Sequence, residues 1–457
     1  MLIDGSFLLP LQSWLETHFP AARLLVVGGS VRDALRGHPS KDLDLEIVGA
    51  TPEAIAAALP WPLQQVGKSY GVLLVQFEGH GWLELSVEPG ALSDWESLCR
   101  RRDFTCNAIA WDVASAELVD PLGGCRDIEA GLLRQAGPAS LQADPLRVWR
   151  AAQFCARFEW SIDPELRAAI EGVLPDLANL PQERVTREWE KLLVMPRKPG
   201  LAVQLLDDWG VILQGYPELF ALHECPQDAQ YHPEGDVWIH TLMVLDQAAR
   251  LGRERQFSAS QRLQLGLAAL LHDLGKPATT RRELGRITAH GHELAGLEPA
   301  RAWFARHSFG EPMELAVLDC VAKHMRPMQL TREIRAGKLS DSQQVNALRR
   351  LIRDLEVVEW PVFLTLCEAD QRGRALPEEE YLPAYVLGEI LRENPHLLEM
   401  ARNNLLRGRD LIALGIAPGR EMGEWLNRVE RARDEGEVAT AEQAREWVRH
   451  RLEQIAE

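Results

Sequence analysis

Leu24-Leu-Val-Val-Gly-Gly-Ser-Val-Arg-Asp-Ala-Leu-Arg-Gly37, followed three residues later by Lys41-Asp-Leu-Asp-Leu-Glu-Ile-Val48, decides how the first half of the chain is read. Leu24 to Val27 is a short apolar run, expected as a buried strand. Gly28-Gly29-Ser30 breaks it, and a helix is expected from Val31. Glycines let backbone approach a bound group, and amides at a helix start favour an anion such as a triphosphate. Arg32 adds a planar cation for phosphate. Leu43 to Val48 reads as a second strand. Asp42 and Asp44 are two apart, so both side chains leave one face. Two convergent carboxylates can hold divalent metal beside a triphosphate, the pattern of nucleotidyl transfer. Each piece has a plain alternative: a simple turn, and a solvated strand end.

The whole chain sets bounds on this reading. Its 457 residues call for about two to four domains. A formal net charge of −17 argues against a basic nucleic-acid coat, but a local basic groove is compatible with it. Seven scattered cysteines form no Cys-x-x-Cys, so reduced thiols and no zinc ribbon are expected. Neither a signal peptide nor a membrane span is expected, and the cytoplasm is the expected compartment.

Around the opening stretch, Met1 to Pro20 reads as a lead-in helix and Thr51-Pro52-Glu53 as a helix start. Val72 to Phe77 and Trp82 to Val87 read as strands, giving a mixed sheet of about five strands. Arg101-Arg-Asp-Phe-Thr-Cys-Asn-Ala108 sets two arginines beside an Asp, a pattern for phosphate and ribose hydroxyl. A capping Asp with surface arginines is the alternative. Asp120-Pro-Leu-Gly-Gly-Cys-Arg-Asp-Ile128 is a turn by composition. Asp144-Pro-Leu-Arg-Val-Trp-Arg150 reads as a helix in which Asp144 and Arg147 share a face, with Arg150 near them. That pair also suits a simple salt bridge.

In order, these motifs resemble the DNA polymerase β-like nucleotidyltransferases. The Gly-Gly-x-Val-Arg-Asp form resembles the class II tRNA nucleotidyltransferases and bacterial poly(A) polymerases. The resemblance implies that Asp42 and Asp44 hold Mg²⁺, and that Glu84 is a third carboxylate, although a solvent-facing Glu suits that strand equally. It implies that Gly28, Gly29, Arg32 and Arg102 hold the nucleotide and that Asp103, with Asn107 less directly, contacts the ribose. Asp144, Arg147 and Arg150 would read the base in place of a template. Glu183 to Leu193 resembles the family's fifth motif, a supporting helix.

The second half changes character. His240 lies in a helical stretch, Leu270-Leu-His-Asp-Leu-Gly-Lys276 supplies His272 and Asp273, and Asp370 follows. Imidazole with carboxylate favours a divalent transition metal. The set resembles an HD phosphohydrolase domain, which implies His240, His272, Asp273 and Asp370 as ligands. His290, His292 and His324 are candidates for a second metal or a substrate phosphate.

The expected fold is therefore α+β: a polymerase β-like palm, then an all-α neck and an all-α HD domain. The expected boundaries are 1–135, 136–215, 216–400 and a helical tail 401–457. The resemblance implies transfer from CTP, with ATP as a further substrate, to the tRNA 3′ end. Only 18 positions separate Glu84 from Arg102, where full CCA-adding members of the family carry a longer loop. A CC-adding enzyme is therefore expected, with a separate A-adding enzyme acting on its product. A poly(A) polymerase, or a phosphohydrolase whose first half only binds RNA or nucleotide, are the rivals.

Overall fold

The structure, a computed structural model, describes residues 6–38, 43–65, 72–77, 81–90, 94–283, 285–376, 383–402 and 404–456. The chain forms two compact units: Met1–Pro196 with Leu201–Gly215, and Arg197–Gly200 with Tyr216–Glu457. The palm sheet belongs to the first. Its strands are β1 (Arg23–Val27), β2 (Asp44–Val48), β3 (Leu63–Gln65), β4 (Val72–Phe77), β5 (Gly81–Glu88), β6 (Ala110–Asp112) and β7 (Glu117–Val119). Their order is β3-β4-β5-β2-β1-β6-β7. The sheet thus has seven strands, more than the five expected from sequence. The short β3, β6 and β7 carry too few residues for a visible alternation.

β1 is an interior strand, between β2 and β6, and both its faces are apolar. Leu24 and Val26 face a core with Leu11 and Leu15 of the helix Leu9–His18. Leu25 and Val27 face the other way, onto Trp95, Cys99 and Ala110. β1 runs antiparallel to β2, with Val27 opposite Asp44. β2 runs parallel to β5, with Leu45 opposite Leu85. That register puts Asp44 and Glu84 on one sheet face.

Two local expectations need correction. Asp120 to Ile128 is not all turn: the Asp120 carboxylate accepts from the Gly124 and Cys125 amides and starts a helix, Gly124–Ala130. Asp144 and Arg147 do not share one helix either. Asp144 is extended, at φ −152° and ψ 92°, between the helices Ser140–Ala143 and Arg147–Phe158. Pro145 explains the break, since its ring disfavours helical geometry at the preceding residue.

The second unit is helical apart from the hairpin Arg281–Glu283 with Arg286–Thr288. Helices Val237–Glu254, Ala259–Leu271, Glu311–Lys323 and Trp360–Arg372 pack together. Val244, Leu267, Leu270 and Phe363 are fully buried among them. Helices Arg420–Asp434 and Ala441–Ala456 add a small core of their own around Trp425, Val429 and Val448. No described helix is long and apolar enough to cross a membrane.

Candidate functional sites

The turn after β1 is built for close approach. Gly28 has φ +71°, and a Cβ there would lie 3.4 Å from Asp44 Oδ2. Gly28 and Gly29 open the helix Gly29–Leu35 and line a cavity of about 470 Å³. Asp44, Arg102, Asp103, Asn107, Asp144, Arg147 and Arg150 line the same cavity, so the first-half motifs are brought to one place. Asp42 lies outside the described residues. Glu84 is exposed on the sheet face that Asp44 occupies, and it is not among the residues lining the cavity.

The charges in this cavity hold one another. Arg102 pairs with Glu46, which follows Asp44 by two on the same face of β2. Burial pushes the Glu46 carboxyl up, against the pull of Arg102. Arg32 lies behind the cavity wall and is not among the residues lining the cavity: it is buried, bonding Asp33 at 2.8 Å and Asn107 Oδ1 at 2.6 Å. Asp103 accepts from Arg150 Nε at 2.9 Å, from Asn107 Nδ2 at 3.0 Å and from the Phe104 amide at 2.7 Å. Burial works against its charge, but Arg150 and these donors hold its pKa below the usual value. Asp103 is therefore engaged inside the protein rather than bare for a ribose.

Asp144 and Arg147 are anchored too. Arg147 Nη1 donates to Arg102 O at 2.9 Å and Ser140 Oγ at 2.7 Å, and its Nη2 donates to Arg101 O at 2.8 Å. Burial lowers its pKa. Asp144 Oδ2 accepts from Arg184 at 2.8 Å. Arg184, Arg187 and Lys191 all line the cavity from the helix Gln182–Val194. Sequence reading gave that helix only a supporting role. The spacing of 184, 187 and 191 was the available signal, since it puts three cations on one helical face.

The second unit holds a different cluster. His272 Nδ1 lies 2.9 Å from Ala269 O, His292 Nδ1 2.7 Å from Ala289 O, and His324 Nδ1 2.8 Å from Val321 O. A carbonyl only accepts, so each Nδ1 carries a hydrogen, and in the neutral ring each Nε2 presents a lone pair. His272 Nε2 is 3.1 Å and His240 Nε2 3.7 Å from Asp273 Oδ2. His240 Nε2 is also 3.1 Å from Asp370 Oδ1. On the other side, His292 Nε2 is 3.4 Å and His324 Nε2 3.9 Å from Asp273 Oδ1. The Nε2 atoms of His292 and His324 face each other at 3.1 Å.

Bare imidazole nitrogens against carboxylates repel unless a cation lies between them. Among the described residues, His272 Nε2 is buried with no hydrogen-bond partner. The donor set therefore fits divalent metal, and Nδ1–H bonded to a carbonyl is the usual support for such a ligand. Among the described residues, three groups bring ligand atoms within 4.8 Å of one another, and two of them share Asp273: His240, His272 and Asp273, and Asp273, His292 and His324; the third is His232, Glu234 and His240. Burial would raise the Asp273 carboxyl, but neighbouring positive charge, Lys276 at 2.6 Å included, holds it well below the usual range. Asp370 is held low likewise against burial, with Arg374 the leading cause. Burial pushes His324 down to about 3, so it is neutral. His290 is exposed and joins neither group. Gly275 is needed here: a Cβ on it would sit 2.0 Å from His292 O.

Relatives give this geometry a family. A multifunctional CCA protein of Hahella chejuensis is 34% identical over 423 residues, covering 88% of this chain and 92% of its own. One from Methylobacillus flagellatus is 37% identical over 389 residues, covering 81% and 89%. The chain belongs to the multifunctional CCA protein family, class II CCA-adding enzymes with an HD domain.

Family profiles fall where that membership places them. The HD domain matches residues 237–358, the Poly A polymerase head domain 87–134, and the probable RNA- and SrmB-binding site of polymerase A 160–222. The palm-plus-helical fold of this CCA protein recurs in solved structures. A Bacillus stearothermophilus CCA-adding enzyme in complex with CTP aligns at TM-score 0.61 and 23% identity, covering 98% of this chain and 99% of its own. A Thermotoga maritima CCA-adding enzyme complexed with tRNA aligns at 0.60 and 20%, covering 98% and 96%.

Proposed function

We propose that this chain transfers cytidylate from CTP to the 3′ end of tRNA and stops after two additions, and that its HD half hydrolyses phosphoesters. The observation that carries the first part is the single cavity in which Gly28, Gly29, Asp44, Arg102, Asp144 and Arg147 converge. The tRNA 3′ hydroxyl attacks the α-phosphorus, a new P–O bond forms, and pyrophosphate leaves with the old one. Asp42 and Asp44, with Glu84 on the same sheet face as Asp44, would hold Mg²⁺, which would supply charge neutralisation at the triphosphate. The amides of the Gly28–Gly29 turn and the guanidinium groups of Arg32 and Arg102 orient the phosphates. Asp103, held by Arg150, keeps that wall rigid. Asp144 accepts from the exocyclic amine of cytosine, and Arg147 donates to its ring nitrogen and carbonyl.

The stop after CC is supported by how little free chain lies before Arg102. β5 runs to Glu88, and the helix Trp95–Cys99 begins soon after, with Trp95 buried. Arg101 pairs back to Glu88 at 3.1 Å. Residues 91–93 lie outside the described residues. Switching to ATP requires the bonds of Asp144 and Arg147 to rearrange, and this tethered segment offers no long lever. A separate A-adding enzyme then completes the end. Full CCA addition is the second reading, favoured by the names of the relatives. The test is a primer-extension gel on tRNA ending in CC, with ATP alone. No extension is expected, and efficient addition of one A overturns the stop while leaving CTP transfer standing.

In the HD half, His240, His272, Asp273 and Asp370 would hold one divalent transition metal and Asp273, His292 and His324 a second. Metal supplies an activated water for phosphoester hydrolysis. Lys276, Arg332 and Arg374 line the surrounding cavity of about 910 Å³ and suit a phosphate substrate.

A further inference from the structure

His240 differs from the other three imidazoles of the metal cluster. Its Nδ1 faces a carboxylate rather than a carbonyl. Glu234 Oε1 lies 2.9 Å from His240 Nδ1 and also 2.9 Å from His232 Nδ1. The Glu234 side chain is 1% exposed, so its oxygen meets the two imidazoles away from solvent. Its second oxygen accepts from the Ala375 amide at 3.3 Å, just beyond the helix that carries Asp370. The segment around it is built. Asp236 caps the helix of His240 by accepting from the Ile239 amide at 3.0 Å. Gln227 donates to the carbonyls of Gly235 and Asp236, and its own Oε1 accepts from Lys276, which pairs with Asp273.

We infer that Glu234 is a positioning residue of the metal centre, fixing His240 as the Nδ1–H tautomer so that its Nε2 lone pair faces Asp273 and Asp370. This rests on the reading of the HD cluster as a metal site. Imidazole left without a partner at Nδ1 can take the other tautomer, place its hydrogen at Nε2, and cease to be a ligand. Turning of the ring has the same effect. Glu234 prevents both from 2.9 Å, and its charge strengthens the bond to His240. His232 shares that oxygen and packs edge-on against His240 at 4.9 Å between ring centres, which blocks rotation from the other side.

The test is Co²⁺ titration of the full chain, followed by the visible absorption that imidazole ligation gives and an all-oxygen palm site does not. Glu234→Ala is expected to weaken the imidazole-bound signal by about 10- to 100-fold in affinity. Glu234→Gln, which keeps the shape and an acceptor oxygen, is expected to fall between it and the parent. CTP incorporation and the melting temperature of the metal-free protein are expected near the parent's in Glu234→Gln. His272→Ala is the reference: if it binds Co²⁺ like the parent, the metal-site reading itself fails. If His272→Ala loses the signal but Glu234→Ala and Glu234→Gln keep parental affinity, the role of Glu234 is overturned. A loss in both Glu234 variants that only tracks a lowered metal-free melting temperature overturns it too.

Discussion

The palm cavity and the HD cluster both gather carboxylates and nitrogen bases, but they hold charge in opposite ways. In the palm, Arg102 already has Glu46, Arg150 has Asp103, Arg32 has Asp33, and Arg184 has Asp144. A nucleotide entering there exchanges one set of partners for another. In the HD cluster four imidazole nitrogens crowd around Asp273 within 3.9 Å. That donor set suits a divalent cation. The first site is therefore a set of balanced ion pairs that can be rearranged, and the second a preset cage. Substitutions should separate them: rate and selectivity in the palm, occupancy in the cage.

The largest effect is expected at Asp44. Asp44→Ala should abolish CTP incorporation while tRNA binding, followed by filter retention, survives and phosphoesterase activity is unchanged. Parental turnover would remove Asp44 from the metal site. A loss of similar size is expected in the other unit from His272→Ala or Asp273→Ala. Either should remove metal-dependent hydrolysis, measured for example on 2′,3′-cyclic phosphates, and leave CTP incorporation intact. Activity lost in both assays from one substitution would break the contrast between the sites.

Next in size is Arg147→Ala. Arg147 is expected to read the base, and it also ties Ser140 to the Arg101 and Arg102 carbonyls. Each lost hydrogen bond to a buried group costs about 1–3 kcal/mol. Selectivity for CTP over UTP should fall and the melting temperature with it. Unchanged selectivity with lowered stability would make Arg147 an anchor and not a reader.

The contrast was only partly legible in the chain. The strand–turn–helix at Gly28 follows from local rules, because an apolar run, two glycines and a helical pattern need no distant partner. The His-Asp pair at His272 and Asp273 was legible for the same reason. Pro145 was in plain view, yet the three-residue spacing of Asp144 and Arg147 suggested one helix where the structure has two. What stayed hidden were residues that matter only through tertiary contact. Glu46 reads as an ordinary strand residue until Arg102 arrives 56 positions later. Glu234 reads as a loop acid until two imidazoles meet its oxygen. Arg184 is a surface cation by pattern, and only the packing of Gln182–Val194 on the helix Arg147–Phe158 takes it to Asp144.

Arg184 gives the smallest expected effect and the sharpest test of the balanced-pair picture. Its side chain is 46% exposed, so its pair with Asp144 is worth only about 0.2–1 kcal/mol in stability. Arg184→Ala should leave the melting temperature within a degree or two of the parent. Its effect belongs to base reading instead. One Asp144 oxygen faces the Leu146 amide at 3.4 Å and the other is held by Arg184, so both fix where the carboxylate points. With Arg184 gone, Asp144 keeps its charge but loses its orientation. The KM for CTP should rise by roughly 1.4- to five-fold, the kinetic equivalent of that energy, with kcat less affected. Arg184→Lys should recover part of the loss, because a cation within reach of Oδ2 still favours one rotamer. Asp144→Asn combined with Arg184→Ala should cost no more than Asp144→Asn alone, since a residue that acts through Asp144 has nothing left to position. Additive losses in that pair would show that Arg184 touches the nucleotide or the tRNA directly, and would move it from the supporting wall into the binding surface.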